Sequence, residues 1–482
     1  MKRPLCFIFA LLLLLPLANA QDPPPVPLRP PNIILIAIDT VRSDHLGCYG
    51  YPHATSPNID RLAAEGVLFE QCYSVAGWTL PAFMSIFTGL LPAAHNCRDI
   101  ETALSPTLPT LPEKLHDKGY FCAAVVANPY LSAKFGFGRG FDKYDDYTVF
   151  LDAELALLAA DKPRQYTQVT DLVTGSTVTQ QAQHLLAVAR KSGKPLFLFV
   201  HYFDPHDSYI PPMPFDRQFD PDYQGSITGR QLPASRNAPP SARDLAHLRA
   251  LYDGEIAFDD AQLGQFLKTL DATFDPASTL LILLSDHGEA FGEHGSLLHG
   301  NSVYRQELQV PMIWRWPGVL PKKHRVKTPV AITDIPATLA ALLRIENFNP
   351  PHARALWPAL TGGQVSEPSD ILSDKCLGPT QHIALTRGPL RLHARFDTSP
   401  NEPNTRYEFY DLSSDPNEQR NLIATHPPHL VPMKTSLLRL WADCLRLRQT
   451  AHPDPAANRV QLNDKERQRL KGLGYTDGAA HN

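Results

Sequence analysis

The sequence has no surplus of charge of either sign, no Cys-x-x-Cys pair, no internal repeat and, beyond its first twenty residues, no long apolar run. Each absence removes a class of function. Lysine and arginine number 45 against 49 acidic residues, a formal charge of −4, so nothing points to nucleic acid as a partner. No cysteine spacing fits a zinc ribbon or a dithiol redox motif. No later segment is long and apolar enough to span a bilayer. What is present is apolar mass. Of 482 residues, 43% are apolar, which excludes disorder throughout and supplies a large core. The 46 prolines, about twice average usage, imply a loop-rich surface.

The first twenty residues set the compartment. Lys2 and Arg3 precede an apolar run from Leu5 to Leu15, followed by Ala18-Asn19-Ala20. That pattern is a secretory signal cut after Ala20, leaving a Pro-rich leader over 21–31 and a secreted or periplasmic protein. Cys6 leaves with the signal. Cys48, Cys72, Cys97, Cys122, Cys376 and Cys444 remain, an even number in a compartment where disulfides persist. Six cysteines allow 15 pairings, so none is assigned. Buried free thiols are the other reading.

Strands and helices alternate. The apolar runs Ile33–Ile38, Phe121–Val126, Leu196–Val200 and Leu280–Leu284 suit strands covered on both faces. Between them, helices are expected over Pro57–Ala63, Leu108–Lys118, Thr177–Lys191, Ala242–Leu270 and Asp334–Leu343. The fold class is therefore α/β: a large, mostly parallel central sheet flanked by helices over 32–345. From 346 to 450, short β-like pieces (His382–Thr386, Arg406–Leu412) and a helix near Pro432–Arg448 suggest a smaller α+β subdomain. A polar tail follows over 451–482. Residues 148–176 and 216–241 are irregular, and substrate specificity is expected in 148–176, 207–241 and the C-terminal subdomain.

The chemistry sits where strands end. Asp39 follows the first strand, His201 the third run, and Asp286 and His287 the fourth. Ligands of open α/β sheets bind outside the carboxyl ends of the strands. Carboxylates and imidazoles gathered there are the ligand set of a zinc- or manganese-type ion. The stretch Trp78-Thr79-Leu80-Pro81 to Thr88-Gly89 reads as a helix with Pro81 in its first turn and Gly89 at its end, which places Thr79 at the N-terminus. A hydroxyl in that field, beside a divalent ion, can lose its proton and attack phosphorus or sulfur. Local sequence alone also allows Thr79 to be a simple cap.

Five motifs in order carry a resemblance. Pro31-Asn32-Ile33 through Asp39-Thr40-Val41-Arg42-Ser43-Asp44-His45-Leu46-Gly47-Cys48-Tyr49-Gly50 comes first. Thr55-Ser56-Pro57-Asn58-Ile59-Asp60-Arg61-Leu62-Ala63 and Leu198–His206 follow. Then come Ser285-Asp286-His287-Gly288-Glu289 with Gly292-Glu293-His294-Gly295 and His299-Gly300, and last Tyr410–Leu422. Together they resemble the sulfatase family, within the alkaline-phosphatase-like superfamily. The departures carry as much information. Sulfate-ester hydrolases of that family have Cys or Ser in a Cys/Ser-x-Pro-x-Arg motif, oxidised to formylglycine. Here Thr79 holds that place and Phe83 holds the Arg place, while Pro81 and Thr88-Gly89 are kept. Ala127-Asn128-Pro129-Tyr130 stands where the family has Lys-x-His. Thr40 replaces the second Asp of an Asp-Asp pair, and His287 an Asn.

The resemblance implies a metal set of Asp39, Thr79, Asp286 and His287, similar to that of the superfamily's phosphodiesterases and phosphoryl transferases. Zinc or manganese is favoured over calcium or magnesium. Thr79 would be the nucleophile in a double displacement. His201, His206 and His299 are candidates for binding the anion and protonating the leaving group, or for a second ion together with Asp204. Trp78, Arg42 and Asp204 are candidate substrate contacts, with Phe83 adding apolar surface near the site and His294 a secondary candidate. The substrate would be a small-molecule, glycan or lipid ester. Three functions follow from this reading: a phosphate ester or diester hydrolase, with transfer to an alcohol as a variant; a sulfuric ester hydrolase; or a non-catalytic anion- or metal-binding relative.

Overall fold

A computed structural model describes residues 29–149, 174–230, 240–363, 370–397, 399–451, 458–464, 467 and 470. The expected signal, most of the Pro-rich leader and most of the polar tail lie outside these residues, as does most of the irregular stretch 148–176.

The central sheet has eight strands. In spatial order they are His324–Val326, Val67–Phe69, Met312–Arg315, Thr279–Leu284, Asn32–Ile38, Leu196–Tyr202, Phe121–Val125 and Lys143–Asp145. All neighbours are parallel except at Met312–Arg315, which runs antiparallel to both of its partners. The four long apolar runs form its middle and are almost wholly buried, as strands covered on both faces must be. The short strands went unread because three or four residues carry too little period to register.

Register decides where the chemistry lies. Ala37 pairs with His201 on one side and with Leu284 on the other. The three central strands therefore end level, and Asp39, His201 and Asp286 leave the sheet at one rim. Helices Gly175–Ser192 and Ala242–Thr273 pack together, with Leu185, Leu186 and Ala189 buried on the first and Leu263, Phe266 and Leu270 on the second. Helix Thr79–Thr88 is buried along its whole length. It ends at Gly89, whose φ of 71° is a left-handed conformation that suits glycine.

The C-terminal subdomain is a four-stranded antiparallel sheet, Asp370–Asp374, Gln381–Arg387, Leu390–Phe396 and Arg406–Asp411. Helix Leu430–Ala451 covers it, burying Met433, Leu437, Leu440, Trp441 and Cys444 at three-to-four spacing. The six cysteines among the described residues are free thiols, five of them buried. The disulfide expectation gives way to the other reading: these sulfurs fill core positions, and burial pushes the Cys122 and Cys444 thiols up to about 12. No helix among the described residues is long and apolar enough to cross a membrane.

Candidate active site

The first strand delivers Asp39 into a sharp turn. The next residue, Thr40, has φ 57°, which is strained for a β-branched side chain. The turn is over-determined by its neighbours. Thr40 O accepts from the Tyr252 hydroxyl at 2.8 Å, and Val41 N donates to Ser285 Oγ at 2.9 Å. Ser285 Oγ in turn donates to His287 O at 2.8 Å. One hydroxyl thus ties the Asp39 loop to the Asp286–His287 loop.

Four side chains converge there, each fully buried. Thr79 Oγ1, at the first residue of its helix, lies 3.4 Å from His287 Nε2. His287 Nε2 is 3.5 Å from Asp39 Oδ1 and 3.4 Å from Asp286 Oδ2. His287 Nδ1 faces Gly288 O at 3.0 Å, which holds the proton on Nδ1 and leaves Nε2 as a donor to a metal. Asp39 Oδ1 and both Asp286 oxygens have no hydrogen-bond partner. Buried carboxylate oxygens without donors are costly unless a cation takes their place. The ligand atoms of Asp39, Asp286 and His287 lie within 4.8 Å of one another. Two carboxylates and an imidazole, with a hydroxyl beside them, therefore fit a divalent transition metal.

The electrostatics bear this out. Burial works to raise the Asp39 carboxyl, but its bond with His201 and the field of His287 hold it below the usual carboxylate range. Burial and the neighbouring Asp39 charge push Asp286 well up. Burial and the proximity of His299 press the His287 ring down to about 3, so it is neutral, as a metal ligand must be. Two carboxyls in a dry site either share a proton, the state that the raised Asp286 describes, or take a cation between them.

Asn128 was not among the sequence candidates. Its Nδ2 donates to Asp39 Oδ2 at 2.9 Å and to Thr79 Oγ1 at 3.1 Å, so one amide fixes both groups. It follows the strand Phe121–Val125 and could have been found by the same strand-end rule that gave Asp39.

A second donor group adjoins the first. His206, Asp207 and His299 present ligand atoms within 4.8 Å of one another. The His299 ring lies 4.7 Å from that of His206 and 4.5 Å from that of His287, centroid to centroid. Glu289, also missed by sequence, receives His299 Nδ1 at 3.1 and 3.2 Å, a carboxylate–imidazole arrangement that orients the opposite nitrogen. His206 Nδ1 faces Asp207 O at 2.8 Å and Asp207 Oδ1 at 3.0 Å. Burial alone would lower His206, but the Asp207 charge carries it up to about 9.

Several sequence candidates take other positions. Asp204 does not join the group. It caps helix Gly175–Ser192, accepting from Thr174 N and Gly175 N, each at 2.6 Å. The tight turn after the strand, closed by His206 N to Phe203 O at 3.0 Å, sends Asp204 toward the helix and leaves Asp207 in the group with His206. His201 backs Asp39, with Nε2 3.3 Å from Asp39 Oδ2 and its ring edge-on to Phe83 at 5.2 Å. Trp78 is fully buried and packs edge-on against Tyr130 at 5.5 Å, so neither it nor Phe83 offers exposed apolar surface. Arg42 is spent on Asp44 (2.9 and 2.8 Å), Glu293 (2.8 Å) and the Glu289 carbonyl (3.0 Å). His294 stacks on Tyr304 at 3.6 Å, away from the Asp39 cluster's ligands.

Comparison with known proteins agrees with this architecture. The family model Sulfatase matches residues 31–345. An uncharacterized sulfatase of Escherichia coli is 24% identical over 429 residues, covering 82% of this chain and 84% of the relative. The iduronate 2-sulfatase of Homo sapiens is 25% identical over 453 residues, covering 82% and 77%. Among solved structures, the phosphonate monoester hydrolase of Silicibacter pomeroyi superposes with a TM-score of 0.69 at 21% identity, covering 89% of this chain and 97% of that one. That of Agrobacterium radiobacter gives 0.67 at 21%, covering 87% and 96%.

Proposed function

The chain belongs to the sulfatase family and is a hydrolase of that family, and on that premise we propose that its substrate is a phosphate ester or diester and its nucleophile Thr79. One observation carries the reading. The Thr79 hydroxyl stands beside His287 Nε2 and Asn128 Nδ2, among buried carboxylate oxygens that lack any donor. Threonine carries a methyl on its β-carbon, so oxidation there yields a ketone and no formylglycine aldehyde forms. A threonyl sulfate has no elimination route for release, whereas a threonyl phosphate is hydrolysed by direct attack of water on phosphorus.

In this reading Asp39, Thr79, Asp286 and His287 hold one divalent ion, zinc or manganese, and His206, Asp207 and His299 hold a second. Bound ions supply Lewis acidity, lowering the pKa of the nucleophile and offsetting the charge of the phosphoryl group. The chain's residues do the rest. Asn128 fixes the Thr79 oxygen for in-line approach. Thr79 Oγ1 bonds to phosphorus as the bond from phosphorus to the alcohol oxygen breaks, and the proton that Thr79 gives up is balanced by the one the departing alcohol takes. Water then displaces Thr79 and releases phosphate or a phosphomonoester. His201 keeps the Asp39 carboxylate ionised and in place. The N-terminal apolar run and Ala18-Asn19-Ala20 support export, which a secreted chain beginning at Gln21 would establish.

Sulfuric ester hydrolysis is the competing reading, favoured by the names of the sequence relatives. Purified chain loaded with zinc or manganese separates the two. Turnover of aryl phosphate or aryl phosphodiester, lost in Thr79→Ala, is the expected result. Sulfate turnover lost in the same variant would reverse the assignment, and metal binding without turnover of any ester would leave a binding protein. Metal analysis should find two equivalents per chain, falling to one in His299→Ala.

A further inference from the structure

Thr79, His287 and His299 come from three separate stretches of chain, and all three stretches meet at one buried carboxyl. Glu307 lies in the short helix Arg305–Leu308 and is fully buried. Its Oε2 accepts from Asn301 N at 3.1 Å and from Ser302 N at 3.2 Å, and its Oε1 accepts from Ser302 Oγ at 2.6 Å. These bonds tie down the chain just after His299, where Asn301 Nδ2 also donates to His299 O at 3.1 Å. The Glu307 carbonyl accepts from Gly288 N, the residue after His287, at 2.8 Å.

The third stretch runs into Thr79. A Cβ on Gly77 would lie 3.1 Å from Glu307 Oε2, 3.2 Å from Ser302 O and 3.6 Å from Gly300 N. Glycine at this position lets the turn before Thr79 rest closely on Glu307 and on the His299 loop. The backbone beside Glu307 extends the contact. Leu308 O accepts from Ser74 N at 2.7 Å, and Gln309–Val310 pairs antiparallel with Cys72–Tyr73.

We propose that Glu307 is the positioning residue of the site, setting the distances among the Thr79 hydroxyl, the His287 ring and the His299 ring through the backbone that carries them. This role rests on the reading of Thr79 and the two donor groups given above, and is indifferent to which ester they act on. A buried carboxyl is costly, and three donors here offset the cost. Burial pushes the group up to about 8 against the pull of Ser302, so near neutral pH an amide is its closest mimic. In Glu307→Gln the amide oxygen takes the two backbone donors, and the Ser302 hydroxyl turns to accept from the amide nitrogen. Glu307→Ala leaves both backbone N–H groups without their acceptor and removes the support from the turn before Thr79.

The test compares the native chain with Glu307→Gln, Glu307→Ala and Gly77→Ala by crystallography of the metal-free protein, calorimetric titration with zinc, and steady-state kinetics. In Glu307→Ala, the 3.4 Å contact of Thr79 Oγ1 with His287 Nε2 and the 4.5 Å separation of the His287 and His299 rings should change by about 1 Å. Zinc affinity should fall about tenfold or more and kcat about a hundredfold, with KM within about twofold of native. Glu307→Gln should keep both affinity and kcat within about threefold of native. Gly77→Ala removes no hydrogen-bonding group and presses on the same carboxyl from the other side, so it carries the test if Glu307→Ala does not fold. There the same distances should shift by a few tenths of an ångström and kcat should fall about tenfold. Native distances and native zinc affinity in folded Glu307→Ala or in Gly77→Ala overturn the proposal. So does a Glu307→Gln chain as impaired as Glu307→Ala, which would make charge and not position the requirement. A native chain that binds no zinc or hydrolyses no ester counts against the reading of Thr79, and the crystallographic distances still decide the role of Glu307.

Discussion

At the scale of single residues, the site depends on which way each side chain leaves its strand end. The sequence rule located the neighbourhood: Asp39, Asp286 and His287 meet around Thr79 Oγ1 and one group of orphaned oxygens. It did not give direction. Asp204 and Asp207 are three residues apart, and only the hydrogen-bonded turn between them decides that one caps a helix while the other joins His206. Asn128 was read as a departure from a family pattern, yet it touches both the Thr79 hydroxyl and Asp39. Replacing it with alanine should lower kcat by about 10²–10³ and leave metal content near that of the native chain, since one preorganised donor is worth that much. Steady-state kinetics with metal analysis checks both halves. Asn128→Asp should be worse than Asn128→Ala, because it adds a carboxylate beside Asp39. Equal activity of the two variants would remove Asn128 from the account.

At the scale of elements, the long strands and helices were legible because their pattern lies in their own sequence. Asp334–Leu343 is observed as read, and Ala242–Thr273 extends its expected span by three residues. The edge strands and the turn at Glu418 were not, since their stability comes from partners far along the chain. Two predictions belong here. Gly89 closes the helix Thr79–Thr88 at φ 71°, and a Cβ there would lie 2.3 Å from Pro350 Cγ. Gly89→Ala should therefore destabilise by at least about 1–2 kcal/mol, read from urea unfolding. Glu418 is the second case. Burial would raise its carboxyl, but Arg391 and His393 hold it down to about 2, against an ordinary 4.5. A carboxyl depressed in the folded chain adds stability above its unfolded pKa and loses it as pH falls from about 4.5 toward 2. Glu418→Gln should flatten the pH dependence of thermal stability over that window; an unchanged slope would mean that the network is not coupled to folding.

At the scale of the whole molecule, the level ends of three central strands make one rim, and the buried carboxylates on it make folding and metal binding one problem. Chelation should lower Tm, since an ion bound only by the folded chain stabilises it in proportion to the logarithm of its concentration over Kd, about 2.7 kcal/mol at a hundredfold excess. Asp286→Asn should reduce this metal effect to what the His206, Asp207 and His299 group contributes and, in the chelated protein, cost little or even raise Tm, because it takes away a buried carboxylate that burial and Asp39 already disfavour. Calorimetry with and without chelator reads both. The cysteines teach a related lesson at this scale. Compartment and an even count argued for disulfides, but pairing is a matter of distance, and the fold uses these thiols as apolar filling.

The central claim is that Thr79 itself is phosphorylated during turnover. Acid-quenched protein taken at saturating aryl phosphate, digested and mapped by mass spectrometry, should carry one phosphoryl group on Thr79, absent from Thr79→Ala. Rapid phosphate-ester hydrolysis with no modification at Thr79, or turnover undiminished in Thr79→Ala, would contradict the account.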